Sequence, residues 1–143
     1  MSSISFEQEL KIRFQHCDPA GIMFYPRYFE LFNQIVEDWF SDALHVSFQQ
    51  LHLEQGLGVP IVRAECDFLR PSRIGDVVRF RLQVAHLGRK SFRLAITVQK
   101  GDEVRVRALL TLACVSLGDT LHGAELPEGI RRAMAPYCLE PAS

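Results

Sequence analysis

The chain has 143 residues, of which 48% are hydrophobic and 23% charged, and its formal net charge is −1. Such a length and composition are typical of one soluble globular domain with a single core. The lysines and arginines form no long basic run, which argues against a nucleic-acid-binding protein. No segment has the apolar length of a signal peptide core or a membrane span. We therefore expect a cytoplasmic protein with one domain over residues 1–143.

The first element is predicted to be a strand with one solvent-exposed face. Polar and apolar residues alternate from the N-terminus, and this period of two is that of a half-buried strand. The apolar positions are Ile4, Phe6, Leu10, Ile12 and Phe14. The domain core is expected to begin here and to extend over about residues 4–118.

A long helix is predicted from Pro26 to about Leu44. Apolar side chains recur there at three- and four-residue steps, which gives the helix a broad buried face. Pro26 suits the first helical turn, because its φ is already helical and its missing N–H would have had no partner. A second, shorter helix is indicated by the capping-box pair Ser47 and Gln50, and it is predicted to end at Gly56.

The second half of the chain is predicted to form four antiparallel strands in a meander. Turn signals at Gly75–Asp76, Gly88–Arg89 and Gly101–Asp102 separate four apolar segments after Gly58. A short helix at about residues 127–137 follows. The order β-α-β-β-β-β predicts an α+β fold, with one long helix against a curved antiparallel sheet. Such a sheet has two edge strands that can pair between subunits, so we expect an oligomer.

The cysteines and histidines indicate neither a disulfide nor a metal site. Cys17, Cys66, Cys114 and Cys138 stand far apart without a C-x-x-C pair, so reduced thiols are expected. The histidines lack ligand spacing, and His16 next to Cys17 is no substitute for a zinc-binding cluster. We predict that no metal is bound.

Asp18 is the residue whose position most suggests chemistry. It lies between the first strand and the long helix, where it precedes a Pro-Ala-Gly turn. Free N–H groups at a helix start can polarise a carbonyl and hold an oxyanion, and a nearby carboxylate would supply the other requirement for acyl transfer. Aspartate is also a common turn and capping residue, and the spacing alone favours this structural role.

Four segments carry a resemblance to a known family, and the similarity covers Phe6 to about Ser116. They are "HCDPAGIMFYPRYFELF", "GVPIVRAECDF", "RPSRIGDVV" and "GRKSFRLAITV". Together they resemble the 4-hydroxybenzoyl-CoA thioesterase family of hot-dog-fold enzymes. The resemblance implies a long central helix wrapped by an antiparallel sheet, and hydrolysis of an acyl-CoA thioester. It also implies active sites between paired subunits, in dimers or in homotetramers made of two dimers.

The resemblance also implies roles for individual residues. Asp18 matches the family's catalytic aspartate, which acts either as the nucleophile or as the base for water, and the main-chain N–H of Tyr25 matches the group that polarises the thioester carbonyl. Arg89 and Lys90 match residues that contact the CoA phosphates, although an exposed hairpin turn could carry the same pair. Val59, Pro60 and Ile61 match positions that line the acyl site in the family. The ring of Phe24 is a candidate for an aryl pocket, although aromatic residues on a helix more often pack in the core. CoA is part of the substrate, and no cofactor is implied.

Three activities remain open at this stage. The first is hydrolysis of a hydroxybenzoyl-CoA or a related aryl-CoA. The second is hydrolysis of short aliphatic thioesters of CoA or acyl carrier protein. The third is acyl-CoA binding without catalysis, against which the retained Asp18 argues. His16 lies where close relatives can carry an acidic residue, and this difference bears on the identity of the acyl group. A hot-dog hydratase is disfavoured, because position 23 is methionine where a hydratase would have a histidine five residues after the aspartate.

Overall fold

The computed structural model describes residues 3–139, so the ends of the predicted domain, 1–2 and 140–143, lie outside the described residues. The helices are α1 (Pro26–Asp42) and α2 (Glu128–Met134). The longer strands are β1 (Phe6–Lys11), β3 (Ile61–Phe68), β4 (Val77–Leu87), β5 (Ser91–Lys100) and β6 (Glu103–Ala113). Three two-residue strands are β2 (Leu57–Gly58), β7 (Val115–Ser116) and β8 (His122–Gly123).

The five longer strands form one antiparallel sheet in the order β1-β4-β5-β6-β3. The predicted α+β class and long helix are therefore confirmed. The predicted four-strand meander is wrong in one respect, because β3 pairs with β6 rather than with β4. Only β4, β5 and β6 follow one another as neighbours, and β3 lies at one edge of the sheet with β1 at the other.

The core lies between α1 and one face of this sheet. Along α1 the buried side chains recur at helical spacing and include Phe32, Trp39 and Phe40. Alternate residues of β4, β5 and β6 point to the same side and join them in a single buried cluster. Ring contacts connect the two layers, since Phe32 packs on Phe80 with centroids 6.2 Å apart and Phe40 packs on Phe92 at 6.2 Å. This packing fixes α1 against the sheet.

The first strand is shorter than its sequence pattern predicts. The chain leaves the sheet at Ile12 and makes a 3₁₀ turn at Phe14–His16, which rotates Phe14 out of the core and leaves it 83% exposed. The capping box at the short second helix is present. Ser47 and Gln50 exchange hydrogen bonds of 2.9 and 3.0 Å, and the helical turn Gln50–Glu54 ends before Gly56, which has a positive φ of 63°.

Candidate active site

Asp18 lies in a tight turn between the 3₁₀ turn and α1. The N–H of Gly21 donates to the carbonyl oxygen of Asp18 at 2.9 Å, and the N–H of Asp18 donates to the carbonyl oxygen of Ile22 at 2.9 Å. Gly21 has a φ of 78°, a conformation that glycine adopts without strain and other residues rarely do. The Asp18 Oδ1 accepts the N–H of Ala20 at 2.9 Å, which closes an Asx turn and orients the carboxylate.

The start of α1 presents one free main-chain donor close to this turn. Pro26 occupies the first helical position and has no N–H, while the N–H of Phe24 donates to the His16 carbonyl at 2.9 Å. Among residues 3–139, no group accepts a hydrogen bond from the N–H of Tyr25. An unpaired N–H at a helix start, where the helix dipole adds positive potential, can bind a partly negative oxygen.

Asp18 and Tyr25 line the same pocket, whose volume is about 440 Å³. Aromatic rings form much of its surface: Phe24 packs against Tyr25 with centroids 5.7 Å apart, and Phe68 packs against both Tyr25 and Tyr28 at 5.8 Å. Another wall of the pocket is the segment that follows β3, from Leu69 to Ser72. The pocket therefore combines a carboxylate, a free N–H donor and an apolar aromatic lining.

The structure thus brings together three of the predicted site residues, Asp18, Phe24 and Tyr25, and leaves the others elsewhere in the same chain. Val59, Pro60 and Ile61 lie at the beginning of β3, whereas the pocket adjoins its end, and the strand between them is ~25 Å long. Arg89 and Lys90 are exposed in the turn between β4 and β5. That turn lies at the Ile61 end of the sheet, because Ser91 pairs with Ala113 while Ile61 pairs with Leu112.

His16 and Cys17 support the turn rather than face the pocket. His16 is buried, and its Nδ1 accepts a hydrogen bond from the N–H of Arg13 at 2.9 Å. Burial lowers the pKa of His16, and the nearby positive charge of Arg13 lowers it further. Cys17 forms an isolated β-bridge with Met23, and burial together with the neighbouring Asp18 carboxylate raises the pKa of its thiol. A thiol with a raised pKa is a poor candidate for a nucleophile, because the thiolate is the reactive form.

Sequence reasoning missed three parts of the pocket lining: the Leu69–Ser72 wall, Phe68 and Tyr28. Phe68 and Leu69 are adjacent exposed apolar residues, which breaks the alternation of β3 just before Pro71. That break was the available signal. Tyr28 is buried as the helical pattern predicts, and its hydroxyl lies close to Ser72. Burial raises the pKa of the Tyr28 hydroxyl, while the Ser72 hydroxyl acts in the opposite direction.

Two further structural observations bear on the kind of site. Within residues 3–139, no three His, Cys, Asp or Glu side chains are grouped as metal ligands would be. Over the same range, no helix has the length and apolarity needed to cross a membrane. The four cysteines, all within this range, are free thiols.

Comparison with known proteins identifies relatives along most of the chain. It is 25% identical over 127 residues to a 1,4-dihydroxy-2-naphthoyl-CoA hydrolase of Nostoc punctiforme, an alignment that covers 89% of this chain and 84% of the relative. It is 28% identical over 138 residues to a 4-hydroxybenzoyl-CoA thioesterase of Pseudomonas sp., covering 87% and 92%.

A solved structure of a gentisyl-coenzyme A thioesterase superposes with a TM-score of 0.79 at 25% identity, covering 88% of this chain and 99% of that chain. These relatives are thioesterases or CoA hydrolases, which confirms the prediction of a thioester hydrolase. Residues 12–134 match the thioesterase-like superfamily. The chain therefore belongs to the thioesterase-like superfamily and has its hot-dog fold.

Proposed function

We propose that this enzyme hydrolyses the CoA thioester of an aromatic carboxylic acid, such as a hydroxybenzoyl-CoA, at the pocket lined by Asp18 and Tyr25. The observation that carries the proposal is the placement of the Asp18 carboxylate and the unpaired Tyr25 N–H in one aromatic-lined pocket. Relatives that act on dihydroxynaphthoyl-CoA, hydroxybenzoyl-CoA and gentisyl-CoA support an aryl acyl group.

The proposed chemistry needs one base or nucleophile and one oxyanion donor. As a base, Asp18 takes a proton from water, and the resulting hydroxide attacks the thioester carbon while the Tyr25 N–H stabilises the oxyanion. The C–S bond then breaks, the CoA thiolate leaves and takes up a proton, and the carboxylic acid is released. As a nucleophile, Asp18 attacks the carbonyl itself and expels the CoA thiolate, which takes up a proton, and water then attacks the aspartyl carbon of the acyl-aspartyl anhydride to release the acid and restore Asp18.

A second copy of the chain is proposed to complete this site. The outer edge of β3 is unpaired among the described residues, and Val62 on it is 61% exposed. A long exposed edge strand is a template for pairing with another chain. Antiparallel pairing of β3 with β3 of a second copy would bring that copy's Val59–Ile61 towards Phe68 and Leu69. The turn with Arg89 and Lys90 lies at the Ile61 end of its own sheet, so the same pairing would bring the second copy's Arg89 and Lys90 towards the pocket.

The charges of β3 favour one register for this pairing. Residues directly opposite in a continuous antiparallel sheet share a face, and like charges placed there are destabilising. Centring the two-fold axis on Arg63 or Glu65 would oppose two arginines or two glutamates. Centring it on Cys66 would oppose Glu65 with Asp67. Centring it on Ala64 places Arg63 opposite Glu65 twice, and these two side chains already attract each other within one chain at 2.7 Å.

Steady-state hydrolysis of a panel of CoA esters tests the proposed activity. The panel contains benzoyl-, hydroxybenzoyl-, dihydroxynaphthoyl-, phenylacetyl- and short aliphatic CoA, followed by thiol release. We expect the highest kcat/KM with a hydroxylated aryl ester, whereas a clear preference for aliphatic esters would contradict the aryl assignment. A single turnover in isotopically labelled water separates the two routes, because water that attacks the aspartyl carbon of the anhydride leaves its label on Asp18 and an unlabelled Asp18 oxygen in the product, whereas the general-base route labels the product directly.

Disulfide cross-linking tests the proposed register. With the axis at Ala64, the variant Ala64→Cys should form a covalent dimer on mild oxidation, since the two introduced thiols face each other across the axis. The unchanged protein is the control and should stay uncross-linked, although its Cys66 would cross-link if the axis lay there instead. An active species of 16.3 kDa in light scattering would contradict the proposed dimer.

A further inference from the structure

Strand β6 contains a β-bulge at Arg105. Val98 of β5 pairs with Val106, and Gln99 pairs with Val104, so Arg105 is the extra residue between them. The bulge interrupts the alternation of β6, and Arg105 and Val106 are both buried although they are adjacent. Only 11% of the Arg105 side chain is exposed. Bulges of this kind redirect a side chain and are frequent beside active sites.

The buried guanidinium is held mainly by the loop that follows β3, together with Glu103 of its own strand. Its Nη1 donates to the carbonyl oxygen of Pro71 at 2.9 Å, to the Ser72 hydroxyl at 3.3 Å and to Asp76 Oδ2 at 3.2 Å. The Nε lies 2.5 Å from a Glu103 carboxylate oxygen. A buried charge is destabilising unless it is paired and hydrogen-bonded, so these contacts account for its position.

The main chain of Arg105 also contacts this loop, in addition to its side chain. Its carbonyl oxygen accepts the N–H of Leu69 at 2.9 Å and the N–H of Arg70 at 3.1 Å. Leu69, Arg70, Pro71 and Ser72 form a wall of the pocket that Asp18 also lines. One residue thus contacts all four residues of that wall without lining the pocket itself.

The wall is connected to the catalytic side of the pocket by two routes. The carbonyl oxygen of Ser72 accepts the N–H of Met23 at 2.8 Å, and Met23 lies between Asp18 and Tyr25 in the chain. The second route is aromatic, because Tyr28 beside Ser72 packs on Phe68, which in turn packs on Tyr25. A displacement of the wall would therefore reach both reacting groups.

We propose that Arg105 is a positioning residue of the thioesterase site, which sets the Leu69–Ser72 wall and, through Ser72 and Met23, the spacing of the Asp18 carboxylate from the Tyr25 N–H. This inference rests on the proposed function for its kinetic consequences. A misplacement of reacting groups by about 1 Å can lower a rate by about a hundredfold, so a residue outside the pocket can have a large effect on kcat.

Two substitutions and one matched control test the proposal. Arg105→Met keeps the apolar stem and removes the hydrogen-bond donors. Arg105→Lys keeps the positive charge but not the planar guanidinium group. The control, Arg79→Met, removes an arginine of β4 that pairs with Glu9 at 3.1 Å on the solvent-exposed side of the sheet. We expect Arg105→Met to lower kcat for an aryl-CoA about tenfold or more. Arg105→Lys should restore part of the loss, and Arg79→Met should have no effect.

Amide hydrogen exchange at Met23 is the second readout, and it does not depend on activity. If Arg105 holds Ser72 in place, the Met23 N–H should exchange faster in Arg105→Met than in Arg79→Met. Unchanged kcat and unchanged Met23 exchange in a folded Arg105→Met variant would overturn the proposal. If that variant does not fold, Arg105→Lys takes its place, because a lysine cannot reach Pro71, Ser72 and Asp76 together, and unchanged kcat and exchange there would overturn the proposal.

The two proposals fail in distinguishable ways. If the wild-type enzyme hydrolyses no aryl-CoA, the proposed function is wrong, and the exchange measurement still decides whether Arg105 positions the turn. If the wild-type enzyme is active and both Arg105 variants match it in kcat and in exchange, the proposed function stands and the positioning role is wrong.

Discussion

The Asp18 carboxylate accepts a hydrogen bond of 2.9 Å from the main-chain N–H of Ala20, and this bond engages only Oδ1. No side-chain or main-chain donor to Oδ2 occurs among residues 3–139. One oxygen therefore orients the side chain, and the other is free to act on water or on the substrate. Asparagine at this position can present its amide oxygen to Ala20, so the turn and the chemistry can be separated by mutation.

Asp18→Asn is expected to remove activity while the fold persists. Losing a positioned base should lower kcat by about 10²–10⁴-fold, whereas circular dichroism and the affinity for CoA should change little. The control Asp42→Asn alters an exposed carboxylate at the end of α1 and should leave kcat unchanged. Near-normal turnover in Asp18→Asn would remove Asp18 from the mechanism.

Cys17→Ser should be mild in comparison. Burial and the adjacent Asp18 carboxylate raise the pKa of the Cys17 thiol, so little thiolate is present at neutral pH. We expect kcat within about threefold of the wild type, because the serine hydroxyl occupies nearly the same space. Rates with an aryl-CoA and the extent of inhibition by a thiol-alkylating reagent check this, and an inactive Cys17→Ser would instead favour a thiol nucleophile.

Charge exchange on β3 is expected to follow the register centred on Ala64. Glu65→Arg would oppose Arg63 with arginine in both halves of the dimer, and each cross-strand pair is worth about 0.2–1 kcal/mol. With two such pairs, about 0.4–2 kcal/mol in all, the dimer dissociation constant should rise about two- to thirtyfold. The double variant Arg63→Glu/Glu65→Arg should restore dimerisation, as measured by sedimentation. No restoration would contradict this register, since a two-fold axis on Glu65 would oppose two arginines in the double variant.

Arg89 and Lys90 are expected to act on the nucleotide end of the substrate. Replacing both with alanine should raise KM for full-length CoA esters by about tenfold or more, because charge-assisted contacts contribute roughly 1.5–3 kcal/mol each before screening. Added salt should weaken wild-type binding in the same direction. A truncated thioester without the nucleotide serves as the control and should show no change in KM. Equal losses on both substrates would indicate a structural role for the pair.

Asp76 is expected to stabilise the folded protein at neutral pH and to lose this effect at acid pH. Its pKa is lowered to about 2, first by the N–H of Arg73 and also by Lys100 and Arg105. Since the folded-state pKa of about 2 lies below the unfolded value of 3.8, the stabilisation is complete above about pH 5 and is lost as the pH falls from there through about 2. Asp76→Asn should remove about 1–2 kcal/mol at pH 7. Denaturant unfolding from pH 7 to pH 2 checks this, because the variant should then lose less stability on acidification than the wild type.

Local features of this protein were predictable from its sequence. The period of three and four residues gave the extent of α1 to within two residues of its end, and the capping pair Ser47 and Gln50 forms as expected. The turn at Asp18 was indicated by Pro19 and Gly21. Each of these depends on contacts between residues close in the chain, so the pattern of side chains carries the information directly.

Long-range features were decided by the tertiary structure alone. The pairing of β3 with β6 rather than β4 leaves β3 at an edge, and it puts the Leu69–Ser72 loop in the pocket that Asp18 lines. The sequence places Arg105 in an alternating strand, and only the bulge against β5 turns it inward. Strand order and bulges depend on which distant residues pack together, and many pairings satisfy the same alternation. The residue types at the site could therefore be predicted from the chain, but the wall that completes the pocket required the fold.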